Sequence, residues 1–469
     1  MFVTVLFILC AIPSLKAQPK LTTLKSFSIG NPFGSLIISN SMLYGTTQGG
    51  GKGLGAVFRI NTDGTGYTNI YNFNLIVTDP SISKQTNGDG AIPKAGLIIS
   101  DNTLYGTTDQ GGRYGEGTIF RVNTDGACFT NLHNFTRRSS SSPFTNSDGA
   151  YPVATLFLSS NILYGTTEEG GIYGGGIAFK VNVDGSGFTN LHNFPTYSNP
   201  TTGLLLSSNT LYGTSGDSGL GNVYKINTDG SGYVVLHGFT GGSGGGYPYA
   251  SLIISDNTLY GTTQGGGNPG YDTIFAVNTD GSDFRTLYHF TALNNYNSYS
   301  TNSDGAAPRA SLILFSNVLY GAAAVGGKFG QGTVFKINTD GSGFKALYNF
   351  TALTPNNPNY AGTNSDGANP QSGLILSGGI LYGTAENGGG STQGTVFALS
   401  LVPSLGIALT NKQLVLSWPT WCPSFELQIA ITPASIIWSN VTGGINTIGD
   451  NYVFTNTLNS DSVFFRLKQ

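Results

Sequence analysis

One short motif, present in six copies, has the oxygen-bearing side chains that a metal site would need. Residues 338–344 read NTDGSGF, and near-copies begin at residues 61, 123, 182, 227 and 278. A calcium loop of the EF-hand type needs oxygen ligands at positions 1, 3 and 5, glycine at position 6 and an acid at position 12. Counted from the asparagine, the glycine stands at position 4, and no copy has an acid at position 12. Because Asp-Gly between two β-prone runs is a strong hairpin signal, we predict a structural type I′ turn and no metal.

Acids in glycine-rich loops are the best candidates for catalysis. Many glycosidases place two carboxyl groups on either side of the bond they cleave. The spacing of these acids in the sequence does not fix the distance between any two of them. If the protein is an enzyme, its candidate catalytic residues are Glu168, Glu169, Asp109, Glu116 and Glu386.

The histidines and the glycine runs indicate no further chemistry. Three histidines, His133, His192 and His237, fall at the position where other copies of the repeat have tyrosine, so we interpret them as repeat positions. The fourth, His289, falls one residue later on the same kind of segment. The runs GGGKGLG and GGIYGGG lack the Gly-Lys-Ser/Thr ending of a phosphate loop. We therefore predict no cofactor.

These residues belong to a repeat that covers most of the chain. Leu-Tyr-Gly recurs seven times at intervals of 48 to 62 residues, with its tyrosines at Tyr44, Tyr105, Tyr164, Tyr212, Tyr260, Tyr320 and Tyr382. In the copy at 251–290, four β-prone runs (252–255, 259–263, 273–278 and 284–290) are separated by turn residues. Four strands per unit of this length is typical of β-propeller blades.

The two ends of the array predict how it closes. The seventh copy stops after its third run, at residue 399. A segment similar to the fourth run, LTTLKSF at 21–27, precedes the first copy. We therefore predict an all-β protein with a seven-bladed β-propeller at 18–400, closed by the N-terminal strand, which would leave no open sheet edge.

The repeat resembles a known bacterial family. Segments such as GTVFKIN (332–338), GTIFRVN (117–123) and LYGTT are similar to the Gloeobacter/Verrucomicrobia-type (GloVer) repeat. The resemblance covers about residues 21–400. It implies a secreted or surface protein and supplies no catalytic residues.

The regions outside the repeat predict an export signal and a second domain. Residues 1–17 contain a short apolar run that is typical of a signal peptide. Residues 401–469 contain all three tryptophans and β-prone runs, which predict a small fibronectin type III-like β-sandwich with Trp418 and Trp438 in its core. The sequence contains no transmembrane span, and its net charge of −3 gives no reason to expect nucleic acid. We expect a monomer that is secreted or held at the cell surface.

The loop face of the propeller is the predicted binding surface. The glycine-rich loops and all long inserts lie at one end of the strands, and loops on a rigid scaffold often bind ligands. The candidate ligand-binding residues there are Asp109, Arg113, Tyr114, Glu168, Glu169, Tyr173, Tyr271 and Phe329. Aromatic rings beside carboxylates suit a glycan or a peptide. A non-enzymatic binding scaffold is the predicted function, and a polysaccharide hydrolase or lyase that uses the same acids is the alternative.

Overall fold

The structure is a computed structural model that describes residues 19–80, 84–216, 219–265, 272–294, 300–355, 362–401, 405–410, 413–419, 426–430, 437–448, 451–457 and 464–468. The described chain is all-β, with a single 3-10 turn at Gly242–Gly244 and no α-helix. It divides into two compact units, one of Leu21–Ala398 and one formed by the residues outside that range. The predicted signal peptide and Tyr271 lie outside the described residues.

The larger unit consists of antiparallel sheets of four strands, of which the described residues form seven. We number them in chain order as sheets 1 to 7. Sheets 1 to 3 contain Ile37–Ser39, Met42–Thr47, Ala56–Asn61 and Thr68–Asn72; Ile98–Ser100, Thr103–Thr108, Thr118–Asn123 and Thr130–Asn134; and Phe157–Ser159, Ile162–Thr167, Ile177–Asn182 and Thr189–Asn193. Sheets 4 to 6 contain Leu205–Ser207, Thr210–Ser215, Asn222–Asn227 and Val234–Gly238; Ile253–Ser255, Thr258–Thr263, Thr273–Asn278 and Arg285–His289; and Ile313–Phe315, Val318–Ala323, Thr333–Asn338 and Lys345–Asn349. Two small hairpins stand in long loops, Val77–Asp79 with Lys84–Thr86 and Thr354–Pro355 with Gly362–Thr363.

Sheet 7 is built from both ends of the repeat region. Its first three strands are Ile375–Ser377, Ile380–Ala385 and Thr395–Ser400. Its fourth strand is the N-terminal strand Lys20–Ser26, which lies beside Thr395–Ser400. The strand that the seventh copy of the repeat lacks is therefore supplied by the start of the chain.

Glycine and phenylalanine on paired strands explain the recurrent Leu-Tyr-Gly. In sheet 1, Gly45 pairs with Phe58, and a Cβ atom on Gly45 would lie 2.6 Å from Cζ of that ring. The glycine therefore makes room for the ring of the neighbouring strand. The same arrangement recurs in the other sheets, and the buried clusters join one sheet to the next. One such cluster joins Phe27 and Phe58 to Tyr382 and Val396 of sheet 7.

The NTDG segments are hairpin turns, but of a different type from the one predicted. In the first copy, Gly64 N donates to Asn61 O (2.9 Å), and Asp63 Oδ1 accepts from Thr65 N (2.9 Å). Thr62 and Asp63 have negative φ and only Gly64 has positive φ (+88°), so the turn is type I followed by a left-handed glycine. A type I′ turn would need positive φ at both central residues, so the predicted type was wrong. Positive φ occurs instead in the short turn before the second strand, at Asn40 and Ser41.

The aromatic residue that follows each of these turns packs against the preceding sheet. Phe129 of sheet 2 stacks on Tyr71 of sheet 1 with ring centroids 3.9 Å apart. The equivalent pairs are Phe188 on His133, Tyr233 on His192, Phe284 on His237 and Phe344 on Tyr288. Three histidines thus occupy the tyrosine position, as predicted, and serve as stacking partners between sheets.

Long loops are tied down by buried aspartates. Sheets 2, 3, 6 and 7 are each entered by a loop that contains an Asn-x-Asp-Gly segment. The aspartates of these segments, Asp89, Asp148, Asp304 and Asp366, are all buried. Their carboxylates accept hydrogen bonds from Tyr71, Tyr288 and Tyr348 (2.8 Å each), and Asp148 lies 2.9 Å from His133 Nε2.

The C-terminal unit contains two sheets that share one small core. The first sheet contains Gly406–Thr410, Gln413–Pro419, Asn451–Thr457 and Ile445–Ile448, and the second contains Ser439–Asn440, Glu426–Ala430 and Phe464–Lys468. Leu416 and Trp418 of the first sheet pack against Leu427 of the second. Trp438 was predicted to be core, but it is only partly buried, and the Arg466 guanidinium lies 4.3 Å from the centre of its ring.

Candidate functional site

One repeat position brings side chains from all seven sheets to a single cavity. Each sheet is entered through a proline, and the residue after that proline lines a cavity of about 620 Å³. We call these seven the post-proline residues: Phe33, Lys94, Val153, Thr201, Tyr249, Arg309 and Gln371. The two residues that follow each of them are small in every copy (Gly, Ala, Ser or Thr). The repeat therefore keeps its backbone constant here and varies the side chain that faces the cavity.

A strained backbone bend precedes this position. The residue before the proline has φ between +53° and +58° in five sheets, at Ile92, Tyr151, Tyr247, Ala307 and Asn369. This conformation is costly for a residue with a side chain, above all for a β-branched one, and persists only where the surroundings enforce it. In sheet 2 the bend is held by Ile92 N, which donates to Leu54 O of sheet 1 (2.8 Å).

Hydrogen bonds between neighbouring sheets fix the wall of the cavity. Gly96 N donates to Thr155 Oγ1 (3.0 Å), and Gly203 N donates to Ser251 Oγ (2.9 Å). Sheets 7 and 1 are joined in the same way, because Gly373 N donates to Ser35 Oγ (2.9 Å). The segments that follow the prolines of sheets 1 and 7 are thus joined by the same backbone-to-hydroxyl hydrogen bond as those of other neighbouring sheets.

A second repeat position supplies acids and amides near the cavity. It is the residue directly after the second strand, which is Asp109 in sheet 2, Glu168 in sheet 3, Gln264 in sheet 5 and Glu386 in sheet 7. Three predicted acids are therefore equivalent positions of the repeat. The loop that enters each of sheets 2, 3, 6 and 7 pairs with the loop after the second strand, for example Ala150 with Glu169. Both kinds of loop lie at the same end of the strands, as expected.

Asp109 and Glu168 differ in how their charges are compensated. Asp109 is buried, and its Oδ2 lies 2.9 Å from Lys94 Nζ. Glu168 lines the cavity, and its carboxylate forms no hydrogen bond or ion pair with another described residue. Burial raises the pKa of Glu168, and the nearby Asp109 carboxylate raises it further, against the opposing effects of Lys94 and Arg138. Glu168 is therefore a carboxylate available to a ligand.

In sheets 5, 6 and 7, a chain of hydrogen bonds positions Arg309. Its Nε donates to Gln264 Oε1 and its Nη1 to Gln371 Oε1, both at 2.8 Å. Gln371 in turn donates to the carboxylate of Glu386. Burial raises the pKa of Glu386, while Gln371 and Arg309 oppose that shift. Glu386 is thus occupied as an acceptor within this network.

Glu116 and Glu169 belong to a separate network around Arg138. Arg138 Nε lies 3.0 Å from Glu116 Oε2, its Nη1 pairs with Glu169, and its Nη2 donates to Tyr151 Oη (2.6 Å). Glu116 is fully buried. The Arg138 guanidinium binds both carboxylates and fixes the loop that enters sheet 3, so the geometry favours a structural role for them.

Four predicted ligand-binding residues lie on glycine-rich loop tips outside the cavity lining. The Arg113 guanidinium lies 5.3 Å from the ring centre of Tyr114, and Lys328 Nζ lies 5.1 Å from that of Phe329. Tyr173 is exposed.

The five predicted acids do not form one cluster. Asp109 and Glu168 lie close together, Glu386 belongs to the Arg309 network, and Glu116 and Glu169 belong to the Arg138 network.

The post-proline residues are not among the site residues predicted from the sequence. Lys94, Arg309 and Gln371, with Tyr247 and Tyr249, line the cavity beside Glu168. The available signal was a proline before the first strand of every repeat, followed by a residue that differs in each copy. Proline in a loop reads as a turn signal, which hid the periodic variation of the residue after it.

The described part of the chain contains no group of three or more His, Cys, Asp or Glu side chains that could hold a metal ion. Among the described residues, no helix is long and apolar enough to cross a membrane.

The fold and the repeated site are those of an all-β repeat protein. Solved structures similar to it are β-propeller-like. The sequence model of the Gloeobacter/Verrucomicrobia repeat matches residues 12–214 and 139–302. The chain belongs to that family. Comparison with curated protein sequences gives no match.

Two similar solved structures are both oligogalacturonate lyases. One, in complex with manganese, is 11% identical, with a TM-score of 0.51 over 83% of this chain and 94% of that chain. The other, from Vibrio parahaemolyticus, is 10% identical, with a TM-score of 0.51 over 83% of this chain and 95% of that chain. At this identity the likeness concerns the fold alone.

Proposed function

We propose that the seven sheets form a closed seven-bladed β-propeller whose central cavity binds a glycan. Closure is supported by the N-terminal strand of sheet 7, by the hydrogen bond from Gly373 to Ser35, and by the core that Phe27 and Phe58 share with Tyr382. These contacts leave sheets 1 and 7 paired as the other neighbours are.

The convergence of seven variable side chains on one cavity is the observation that carries this function. A repeat with a purely structural role does not need different side chains at a position that faces a cavity. Recognition of an asymmetric ligand does need them. A cavity of about 620 Å³ falls within the range usual for small-ligand sites. The cavity therefore fits a few sugar units better than a folded partner.

The lining chemistry favours a glycan over a peptide. Phe33, Tyr247 and Tyr249 offer aromatic faces for the C–H groups of a sugar ring. Glu168 offers a carboxylate that can accept hydrogen bonds from two hydroxyl groups, and Arg309 and Gln264 offer fixed donors elsewhere in the same cavity. Lys94 and Arg309 also suit a sugar that carries a carboxylate.

A binding assay on matched variants tests this proposal. The purified chain is titrated with polygalacturonate, xylan, carboxymethylcellulose and chitin oligosaccharides, and heat of binding is measured. We expect one of these glycans to bind, and Tyr249→Ala to weaken that binding at least about tenfold, as a central aromatic contact does. Phe315→Ala removes an exposed ring at the opposite end of the strands and serves as the control. Equal binding by Tyr249→Ala and the unmodified chain would contradict the cavity assignment.

A polysaccharide hydrolase or lyase is the second candidate function. One observation favours it: Glu168 has a raised pKa beside Asp109, whose carboxylate is ion-paired with Lys94. A carboxyl group whose pKa is raised, next to a carboxylate that is paired with a cation, is the arrangement in which many glycosidases divide acid and base roles. Product release from the bound glycan that Glu168→Gln abolishes would establish catalysis and displace the binding-only function.

The family and the two ends of the chain support the remaining proposals. We infer that the protein is exported, with residues 1–17 as its signal peptide, and acts outside the cell as a monomer. The C-terminal sheets share a core in the manner of a small β-sandwich, which we infer is an accessory module. Detection of the mature chain in culture medium or on intact cells, with its N-terminus at residue 18, tests the export.

A further inference from the structure

An exposed apolar group lies at the loop end of sheet 3. Its members are Phe144, Ile172, Tyr173 and Tyr197, with exposed fractions of 47%, 56%, 53% and 70%. They come from the loop that enters sheet 3, its glycine-rich loop and the loop that leaves it. We call this group the sheet 3 platform.

Contacts between the three loops make the platform one surface. Thr196 Oγ1, beside Tyr197, donates to the carbonyl of Tyr173 (2.6 Å). A Cβ atom on Gly174 would lie 3.0 Å from Pro143 Cβ, so the residue next to Tyr173 touches the residue next to Phe144. The backbone of Ile172 is also fixed, because its N donates to Asn193 Oδ1 (3.0 Å).

Sheet 3 differs from its equivalents at the tip of the glycine-rich loop. Sheets 2 and 6 have Arg113 and Lys328 at the position of Ile172, and each basic side chain lies over the aromatic ring that follows it. Ile172 has no charge and cannot make this cation–π contact. Tyr173 is exposed, whereas the equivalent Tyr114 and Phe329 are partly buried. The substitution leaves an uncharged aromatic surface at this one loop tip.

The platform adjoins the wall of the cavity. The Arg138 guanidinium lies 5.7 Å from the ring centre of Phe144 and 4.3 Å from that of Tyr151. The same guanidinium pairs with Glu169, whose neighbour Glu168 lines the cavity. One rigid side chain thus connects the two surfaces at the same end of the strands.

We propose that the sheet 3 platform is a second glycan subsite, which binds the part of a polysaccharide chain that extends out of the cavity. Tyrosine and phenylalanine rings present flat faces to the C–H side of sugar rings, and the tyrosine hydroxyls remain free to bind sugar hydroxyls. Among the described residues no basic side chain lies over the rings of Tyr173 and Tyr197, which suits a neutral sugar ring face. This inference rests on the proposed glycan binding in the cavity and makes the ligand a polymer.

The length of the ligand tests the inference. The probes are a series of oligosaccharides of increasing length from the glycan in the panel that binds most tightly. For the unmodified chain, affinity should rise with length beyond what fills the cavity. In the double variant Tyr173→Ser/Tyr197→Ser, we expect the longest oligosaccharide to bind at least about fivefold more weakly and the shortest to bind unchanged. Phe315→Ser is the matched control, and melting temperatures establish that all variants fold.

The outcomes distinguish a failure of the platform from a failure of glycan binding in the cavity. If the double variant keeps the length dependence of the unmodified chain while Tyr249→Ala loses binding, the platform is overturned and the cavity stands. If the double variant weakens short and long oligosaccharides equally, the platform is not a separate subsite. If no probe binds the unmodified chain, the glycan function and the platform both fail.

Discussion

At the scale of single residues, the repeat shows which side chains depart from its own pattern. Tyr224 occupies a position where the other sheets have phenylalanine, namely Phe58, Phe120, Phe179, Phe275, Phe335 and Phe397. The Tyr224 hydroxyl is buried and has no hydrogen-bond partner among the described residues. Burial raises the pKa of this phenol. A polar group in such a place costs stability.

We predict that Tyr224→Phe stabilises the protein by about 1–3 kcal/mol, the usual penalty of an unsatisfied buried hydroxyl. Urea unfolding, followed by far-ultraviolet circular dichroism, measures the change in the free energy of unfolding. Tyr212→Phe, a substitution in the neighbouring strand of the same sheet, is the control. A loss of stability in Tyr224→Phe would show that the hydroxyl has a partner, such as an ordered water molecule.

A buried glutamate, Glu116, and a half-buried one, Glu168, should respond in opposite ways to neutralisation. Glu116→Gln removes one of the two carboxylates that Arg138 pairs with and leaves it Glu169, so we expect a loss of about 1–3 kcal/mol in the free energy of unfolding. Glu168 forms no ion pair with another described residue, so Glu168→Gln should keep or raise stability while it weakens glycan binding. Denaturant unfolding of both variants, with the binding assay, makes the comparison.

The raised pKa of Glu168 also sets a pH dependence. Because folding favours the protonated form of this acid, its charge costs stability as pH rises from the ordinary glutamate range through the raised value. Glu168→Gln should remove that part of the stability profile. Glycan affinity should fall as pH drops through the same range, since a protonated Glu168 accepts fewer hydrogen bonds. A pH-independent affinity would argue against Glu168 as a ligand acceptor.

At the scale of elements, the NTDG turn joins neighbouring sheets as well as two strands. A Cβ atom on Gly126 would lie 2.2 Å from Ile70 O of the preceding sheet, and the glycine has φ of +91°. The turn therefore sets how closely sheet 2 approaches sheet 1. The carboxylate of each turn is used within it, as Asp63 accepts from Thr65.

We predict that Gly126→Ala destabilises the protein by about 3 kcal/mol or more, because it combines backbone strain with a clash. Gly378→Ala is the control: its φ is +57°, but a Cβ atom there would have no neighbour within 4 Å. That control should cost only about 1–2 kcal/mol. Similar losses for the two variants in chemical unfolding would mean that contact between sheets is unimportant at Gly126.

Calcium should not affect these turns. We expect the melting temperature to be the same in calcium chloride and in chelator, because the turn carboxylates already bind backbone N–H groups. A strong rise with calcium, of the kind that linkage gives for a ligand bound to the folded state, would restore the metal-site interpretation.

At the scale of the whole molecule, the strand Lys20–Ser26 links the start of the chain to its last sheet. We predict that a variant that begins at residue 28 aggregates or unfolds, because Thr395–Ser400 becomes an unpaired edge and Phe27 leaves the core. Placing residues 20–27 after Ser400, joined by the turn NTDGSG, should restore cooperative unfolding. Recovery in size-exclusion and thermal measurements supports a closed ring; a fully stable truncated variant would contradict it.

The sequence by itself determined the repeat, the strand order within each unit and the role of the N-terminal strand. These follow from local rules: alternating apolar residues, glycine at turns and the period of Leu-Tyr-Gly. It also placed Asp109, Glu168 and Glu386 in the loops at one end of the strands. These three positions are equivalent in the repeat, so the period alone carries them to the same place.

Only the tertiary structure decided which of those side chains are free to act. Asp109 pairs with Lys94, and Glu169 pairs with Arg138, through contacts between the loop that enters a sheet and the loop that follows its second strand. The cavity arises where the segments that precede the first strands of all seven sheets come together, so residues that are dispersed along the chain, such as Lys94 and Arg309, share one site.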